Sequence, residues 1–332
     1  MFHGKPGFWF VIFVLAVMPL VGQETTFHSE SNVVIVPALV KDARGGAVYG
    51  LLAKDFVIED DGAEQPVHLD EAAEAEPASI VLAIQTGRRA KREFPRMQGL
   101  QSMLTPILDQ PGAEIAILEF DSKLDLAQDF TRNSNAVDQT LGELREGDNG
   151  AAILDAVSYS VRLLNQRPKG RQRVILLISE TRDHGSHFAK IDQVVAEIGE
   201  SNTVIYALTF SPSLSQLLDT ERGSNRDEAY WDAPPDLLAP FIMARHALRK
   251  NTAKGVASMT GGEYELFATR KSFEDLMNRF TNHLHSRYLL SFQPQDPQPG
   301  LHRIEVRLRA PHEASILFRG SYWAAAPGNS TQ

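Results

Sequence analysis

The sequence predicts an α/β domain with a mostly parallel sheet and helices on both faces, set inside a small antiparallel β-sandwich built from both chain ends. Three observations predict it. Between about residue 78 and residue 268, short apolar runs without alternation are separated by stretches of helical period. That is the pattern of strands covered on both faces. On either side the period falls to two, as in half-exposed antiparallel strands. Neither flank alone has strands enough to bury a core, so the two must pair with each other.

The N-terminal flank begins with VVIV at 33–36, a β-branched run. Ala43 to Gly46 reads as a turn. DFVIEDDGAEQPVHL is two apolar runs around Asp60-Asp61-Gly62, a hairpin signature. Acidic Glu71 to Pro77 reads as a linker.

The central strands are IVLAI (80–84), IAIL (115–118), VILLI (174–178) and VIYAL (204–208). Helical stripes lie between them. One is Met97, Leu100, Leu104, Ile107 and Leu108. Another is Ile153, Leu154, Val157, Val161 and Leu164. A third is Ile191, Val194, Val195 and Ile198. IAILEF and LDLAQDF, joined near residues 120–124, would add one antiparallel edge strand. Ser211 to Pro240 is a long, weakly patterned segment whose Tyr230 and Trp231 are a contact point or pins for their own loop. Gly261-Gly262 ends a helix and admits a tight entry into the last sheet strand.

A last helix is marked by Phe273, Leu276, Met277, Phe280 and Leu284. Alternation then returns at Tyr288, Leu290 and Phe292, at Ile304, Val306 and Leu308, and at Ala314, Ile316 and Phe318. The expected organisation is a signal peptide over 1–22, sandwich strands over 23–76, the α/β domain over 77–286, sandwich strands over 287–324 and a disordered tail over 325–332. The signal reading rests on Lys5 followed by the uncharged run Phe8 to Val21, too short for a comfortable transmembrane helix of about 20 residues. It implies an exported chain, periplasmic or secreted; an uncleaved N-terminal anchor is the alternative.

Composition narrows the function classes. The 332 residues carry a net charge of −9 and no long basic stripe, which argues against nucleic-acid binding. The chain has no cysteine, which excludes disulfides, thiolate metal sites and thiol catalysis. It has no HExxH, no phosphate-cradling P-loop and no GxGxxG after a strand.

The order and spacing of several segments resemble bacterial von Willebrand factor A-related domain proteins of the acidobacterial type. These segments are VPALVKDARGGAVYGLLAKDFVIEDDG, SIVLAIQTGRR, GDNGAAILDAV, RVILLISETRDHGS, MTGGEYELF, SRYLLSFQP, and IEVRLRAP to FRGSYW. The resemblance covers nearly all of the chain after the signal segment. It implies a Rossmann-like von Willebrand A domain that binds its ligand at the carboxyl ends of the strands.

The resemblance also implies a metal-ion-dependent adhesion site, Asp-x-Ser-x-Ser with a later Thr and Asp, where Mg²⁺ meets hard oxygen ligands and a partner's carboxylate. Here the first Asp falls on Gln85, the two Ser on Gly87 and Arg89, the Thr on Ala151 and the last Asp on Glu180. Thr86, Arg88 and Asp183 flank these positions. Only Glu180 keeps a carboxylate, and at about 4 Å each arginine would oppose a divalent ion by several kcal/mol. The expectation is a degenerate site with no cofactor; Mg²⁺ or Mn²⁺ is disfavoured. Arg88 and Arg89 are solvated residues opening the first helix, or pair with Glu180 and Asp183, or grip a partner's acidic side chain directly.

Other constellations yield weaker expectations. Glu180, Asp183 and Asp148 could rebuild a cation site through waters. Ser186 with His184 and His187 could suggest a hydrolase, but neighbouring histidines do not show an assembled triad. His283 and His285, two apart on a helix, point to different faces. Glu59, Asp60 and Asp61 lack the EF-hand spacing and read as a turn. The function expected is an exported, non-enzymatic protein-binding or scaffold protein of von Willebrand A type, with a metal-dependent adhesion protein and a hydrolase as alternatives.

Overall fold

The computed structural model describes residue 1 and residues 33–70, 76–210, 239–295, 297–310 and 313–324. The expected signal segment, the acidic stretch 71–75, the tail from 325, and Tyr230 and Trp231 lie outside the described residues.

The central sheet contains β5 (Ala78–Gln85), β6 (Glu114–Phe120), β7 (Leu124–Thr131), β8 (Gln172–Ser179), β9 (Thr203–Thr209) and β10 (Tyr264–Leu266). Its order is β10-β9-β8-β5-β6-β7. All neighbours are parallel except β6 and β7. Counted from β5, this is the doubly wound order 3-2-1-4-5-6 with one antiparallel edge. It is a Rossmann-like arrangement, and the edge hairpin is the one read from IAILEF and LDLAQDF.

Strand β5 is buried along its whole length, and its alternate side chains serve two cores. Ile80, Leu82 and Ile84 pack with Leu100, Leu104, Val137, Phe273, Met277 and Phe280. Val81 and Ala83 face Ile153, Val157, Val161, Val194, Val195, Leu248 and Val256. The helices supplying these side chains are α2 (Leu100–Leu108), α3 (Ser134–Gly142), α4 (Ile153–Asn165), α5 (Ile191–Glu200), α6 (Ala239–Lys250), α7 (Thr252–Met259) and α8 (Arg270–Leu284). A four-residue turn of helix, α1 (Arg88–Lys91), directly follows β5.

Gly262 is where the chain enters β10. A Cβ there would lie 1.8 Å from the carbonyl oxygen of Ile205, so no other residue lets the segment close against β9.

The remaining strands are β1 (Val34–Asp42), β2 (Phe56–Asp60), β3 (Ala63–Gln65), β4 (His68–Asp70), β11 (Tyr288–Phe292), β12 (Gly300–Leu308), β13 (Ala314–Phe318) and β14 (Ser321–Ala324). They form two antiparallel sheets, β13-β1-β11-β4 and β14-β12-β2-β3. Each sheet mixes strands from the two chain ends, as the short flanks required. Val36, Val40, Phe56, Ile58, Leu290, Phe292, Ile304 and Tyr322 fill the space between them.

One detail differs from the sequence reading. The Asp60-Asp61-Gly62 turn is formed, with positive φ at Asp61 (47°) and Gly62 (86°), as a tight hairpin turn requires. The second apolar run, however, does not return along the first. Only Ala63–Gln65 pairs with β2, and after Pro66 the chain crosses to the other sheet, where His68–Asp70 pairs with β11. Proline offers no N–H to continue the ladder.

The sandwich is fastened to the α/β domain through Arg319, a buried guanidinium. It donates to the carbonyls of Ile35 (3.2 Å) and Ser321 (2.8 Å), to Asn202 Oδ1 (3.1 Å) and to the carbonyl of Gly199 near the end of α5. A cation at a helix carboxyl end also meets the negative pole of the helix.

Candidate functional site

The rim at the carboxyl ends of β5, β6 and β8 lies where the winding of the sheet reverses, the place where open α/β sheets bind ligands. Four connections build it: Thr86–Gly87 after β5, the β6–β7 turn, the loop before α4 and the loop after β8. Backbone bonds hold them together. Thr86 N donates to Phe120 O at 2.8 Å, Arg88 N to Asp148 O at 2.8 Å, and Ala151 and His184 exchange bonds of a short bridge.

The structure brings Gln85, Arg89 and Glu180 together. Gln85, 1% exposed, accepts the Glu180 N–H on Oε1 at 2.8 Å. Its Nε2 donates to Gly150 O at 3.3 Å and to Glu180 Oε1 at 3.4 Å. The other carboxylate oxygen of Glu180 faces His184 Nε2 at 3.0 Å and Arg89 Nη1 at 3.6 Å. Both oxygens of the one retained carboxylate are thus met by the protein's own amide, imidazole and guanidinium. Arg89 is 55% exposed at its side chain, and Arg88 beside it is exposed.

The other site positions are occupied by packing. At Gly87 a Cβ would lie 2.8 Å from Asp148 O and 3.0 Å from Gly150 O, so no serine hydroxyl fits where the resemblance puts one. Thr86 is buried, with its hydroxyl directed at Phe120 O, and Ala151 is wholly buried.

Asp183 does not pair with the arginines. Its Oδ1 accepts Leu154 N–H at 3.0 Å and the Ser186 hydroxyl at 2.5 Å. Asp148 is likewise spent on its own loop: it accepts the Ser122 hydroxyl and the N–H groups of Gly150 (2.7 Å) and Ser122 (3.2 Å). The Ser122 hydroxyl and the Gly150 N–H hold its carboxyl below the ordinary aspartate range. Glu180, Asp183 and Asp148 therefore face different partners rather than one ion. Ser186 is a structural link: it donates to Asp183 and accepts Asp155 N–H at 3.0 Å, and neither His184 nor His187 bonds its hydroxyl.

Sequence reasoning missed Asp155. Its buried carboxylate, in the first turn of α4, accepts the N–H groups of His187 (2.8 Å), Phe188 (3.1 Å) and Ala189 (2.6 Å). This clamp fixes the loop after β8 and presents Phe188, 82% exposed, beside the rim. The signal was an acid interrupting the apolar stripe of α4.

It also missed a cluster in the sandwich. Asp60, Asp61 and His302 are the one group of three potential metal-ligating side chains found among the described residues. The turn reading of Asp60-Asp61 was right, but His302 approaches it across the β2–β12 pairing, 241 residues away in sequence. His302 Nδ1 lies 2.8 Å from Asp61 Oδ2 and 3.6 Å from Asp60 Oδ1. Facing Asp60 and Asp61 pushes its pKa up to about 10 against the cost of burial. This candidate set lies in the sandwich, away from the strand-end rim.

No family model matches the chain, and no curated protein matches it. Several solved structures are similar to this chain at low identity. A von Willebrand factor type A protein from Catenulispora acidiphila is similar at 9% identity and a TM-score of 0.45, over 92% of this chain and 76% of that one. Proximal thread matrix protein 1 from the mussel byssus, with a zinc-occupied MIDAS motif, is similar at 13% identity and a TM-score of 0.43. There the match covers 67% of this chain and 48% of the other, so this chain spans about half of that protein's length. The protein BatB from Bacteroides thetaiotaomicron is similar at 10% identity and a TM-score of 0.40, over 62% of this chain and 98% of that one. Among the described residues no helix is long and apolar enough to cross a membrane.

Proposed function

We propose that this chain is an exported, non-enzymatic binding or scaffold protein of von Willebrand A type that engages a protein partner at the strand-end rim without a cation there. Its A-type domain is assigned to residues 77–286. Export is supported by the uncharged apolar run from Phe8 to Val21. One observation carries the reading: Gln85, His184 and Arg89 already surround both oxygens of Glu180, where an adhesion-site cation would need them.

The same observation supports the kind of partner. Arg88 and Arg89 offer guanidinium groups suited to a carboxylate, and exposed Phe188 on the loop after β8 offers an apolar anchor. An acidic side chain on the partner, flanked by apolar residues, fits that pairing.

The test compares the wild type with an Arg88→Ala, Arg89→Ala double variant in capture from envelope extracts. It is paired with Mg²⁺ and Mn²⁺ titration of the wild type and of Glu180→Gln. Loss of the captured protein in the double variant, with no ion uptake that depends on Glu180, supports the proposal. Ion uptake that Glu180→Gln removes, or capture unchanged in the double variant, overturns it.

A further inference from the structure

We propose that the β-sandwich carries a site for one zinc-class dication, held by Asp60 Oδ1, Asp61 Oδ2 and His302 Nδ1. The site is independent of the rim and of the function assigned to it.

The spacing fits. The three donor atoms lie within 4.8 Å of one another. Tetrahedral zinc, with bonds of about 2.0–2.2 Å, sets its ligand atoms roughly 3.3 Å apart. The Nδ1 separations of 2.8 Å and 3.6 Å straddle that value.

A second observation points to a missing ligand. Asp60 keeps only 9% of its exposure, yet its Oδ1 accepts no hydrogen bond. His302 Nδ1, which faces it, is 3.6 Å away, beyond a proper hydrogen bond. Leaving a buried carboxylate oxygen unpaired is costly, and a cation at this point satisfies it.

The surroundings orient the donors as outer-shell groups orient metal ligands. His302 Nε2 is 2.6 Å from the Gln298 carbonyl, which turns Nδ1 toward the two acids. The Tyr322 ring stacks on the imidazole with centroids 4.8 Å apart, and its hydroxyl donates to Asp60 Oδ2 at 2.9 Å. Asp61 Oδ1 accepts the Arg303 N–H at 2.9 Å, which leaves Oδ2 for the site. The hairpin itself is pinned to β12 by Asp61 N donating to Arg303 O at 2.9 Å. Asp61 is 30% exposed at its side chain, which opens an entry and leaves room for a water as fourth ligand.

The donor types choose the ion. Ca²⁺ and Mg²⁺ call for six or more oxygens, whereas two carboxylates and an imidazole suit Zn²⁺. On binding, the ion takes the place of the proton on Nδ1, which leaves to solvent.

The test uses the full chain stripped of metal and titrated with Zn²⁺ by calorimetry. One ion per chain is expected in the wild type and in Glu180→Gln. Asp61→Asn and His302→Gln should weaken uptake on the order of 100-fold or more. Co²⁺ added to the wild type should give the intense visible bands of a tetrahedral site, which Asp61→Asn abolishes while keeping the hairpin shape. An absence of stoichiometric uptake by the wild type overturns the proposal, leaving His302 as a structural ion-pair partner of the two acids. Unchanged uptake in Asp61→Asn overturns it equally.

Discussion

Gln85 and Glu180 clasp each other across the ends of β5 and β8: Gln85 Oε1 takes the Glu180 N–H at 2.8 Å, and Gln85 Nε2 returns to Glu180 Oε1 at 3.4 Å. The clasp is buried, so neither side has water to replace a lost partner. Gln85→Ala opens a cavity and orphans the Glu180 N–H together. It should lower the unfolding free energy by about 2–4 kcal/mol, read from urea midpoints.

Arg89 behaves differently although it reaches the same carboxylate. Its contact with Glu180 is 3.6 Å long and its side chain is 55% exposed. Exposed ion pairs contribute roughly 0–1 kcal/mol. Arg89→Ala should therefore lower the unfolding free energy by less than about 1 kcal/mol, read from urea midpoints. A larger loss would make the arginine a structural part and remove its use as a probe of binding.

Asp155 holds the loop that carries Phe188. Its carboxylate collects three backbone N–H groups from residues 187–189, and it is 4% exposed. Hydrogen bonds to a buried charge each contribute about 1.5–3 kcal/mol. Asp155→Ala should cost about 3 kcal/mol or more and open residues 184–190 to limited proteolysis at native conditions. Asp155→Asn should fall between the two. A variant as resistant as the wild type would show that the loop is held elsewhere.

Sequence legibility followed the range of the interactions involved. β5, β8 and β9 were legible because an unbroken apolar run such as IVLAI is stable only with both faces covered. The pairing of the two chain ends was legible because neither could bury itself. Gln85 and Glu180 were singled out through the resemblance; Gln85 ends β5 and Glu180 follows β8, neighbouring strands whose register the sheet fixes. What Asp148 and Asp183 do was not. Acids near a site read as potential ligands, and only the loop geometry shows them capping Ser122, Gly150 and Leu154. His302 was invisible for the same reason: nothing local in its strand shows that β12 lies beside β2.

Glu263 makes the joint between sandwich and α/β domain sensitive to acid. Lys41, from β1, reaches its Oε1 at 3.1 Å, and His283, from α8, reaches its Oε2 at 2.7 Å. Burial alone would push its pKa up, but the His283 hydrogen bond and the Lys41 charge outweigh it and bring the pKa down to about 2. The ordinary value is 4.5, so on acidification the unfolded chain takes this proton first. The stabilisation is whole above about pH 4.5 and disappears as pH falls toward 2. A shift of this size corresponds to about 3 kcal/mol. Glu263→Gln should be less stable than the wild type by that order at pH 7, and the two urea curves should converge below about pH 3. A gap that persisted unchanged at pH 2.5 would place the stabilisation in the shape of the side chain rather than in its charge.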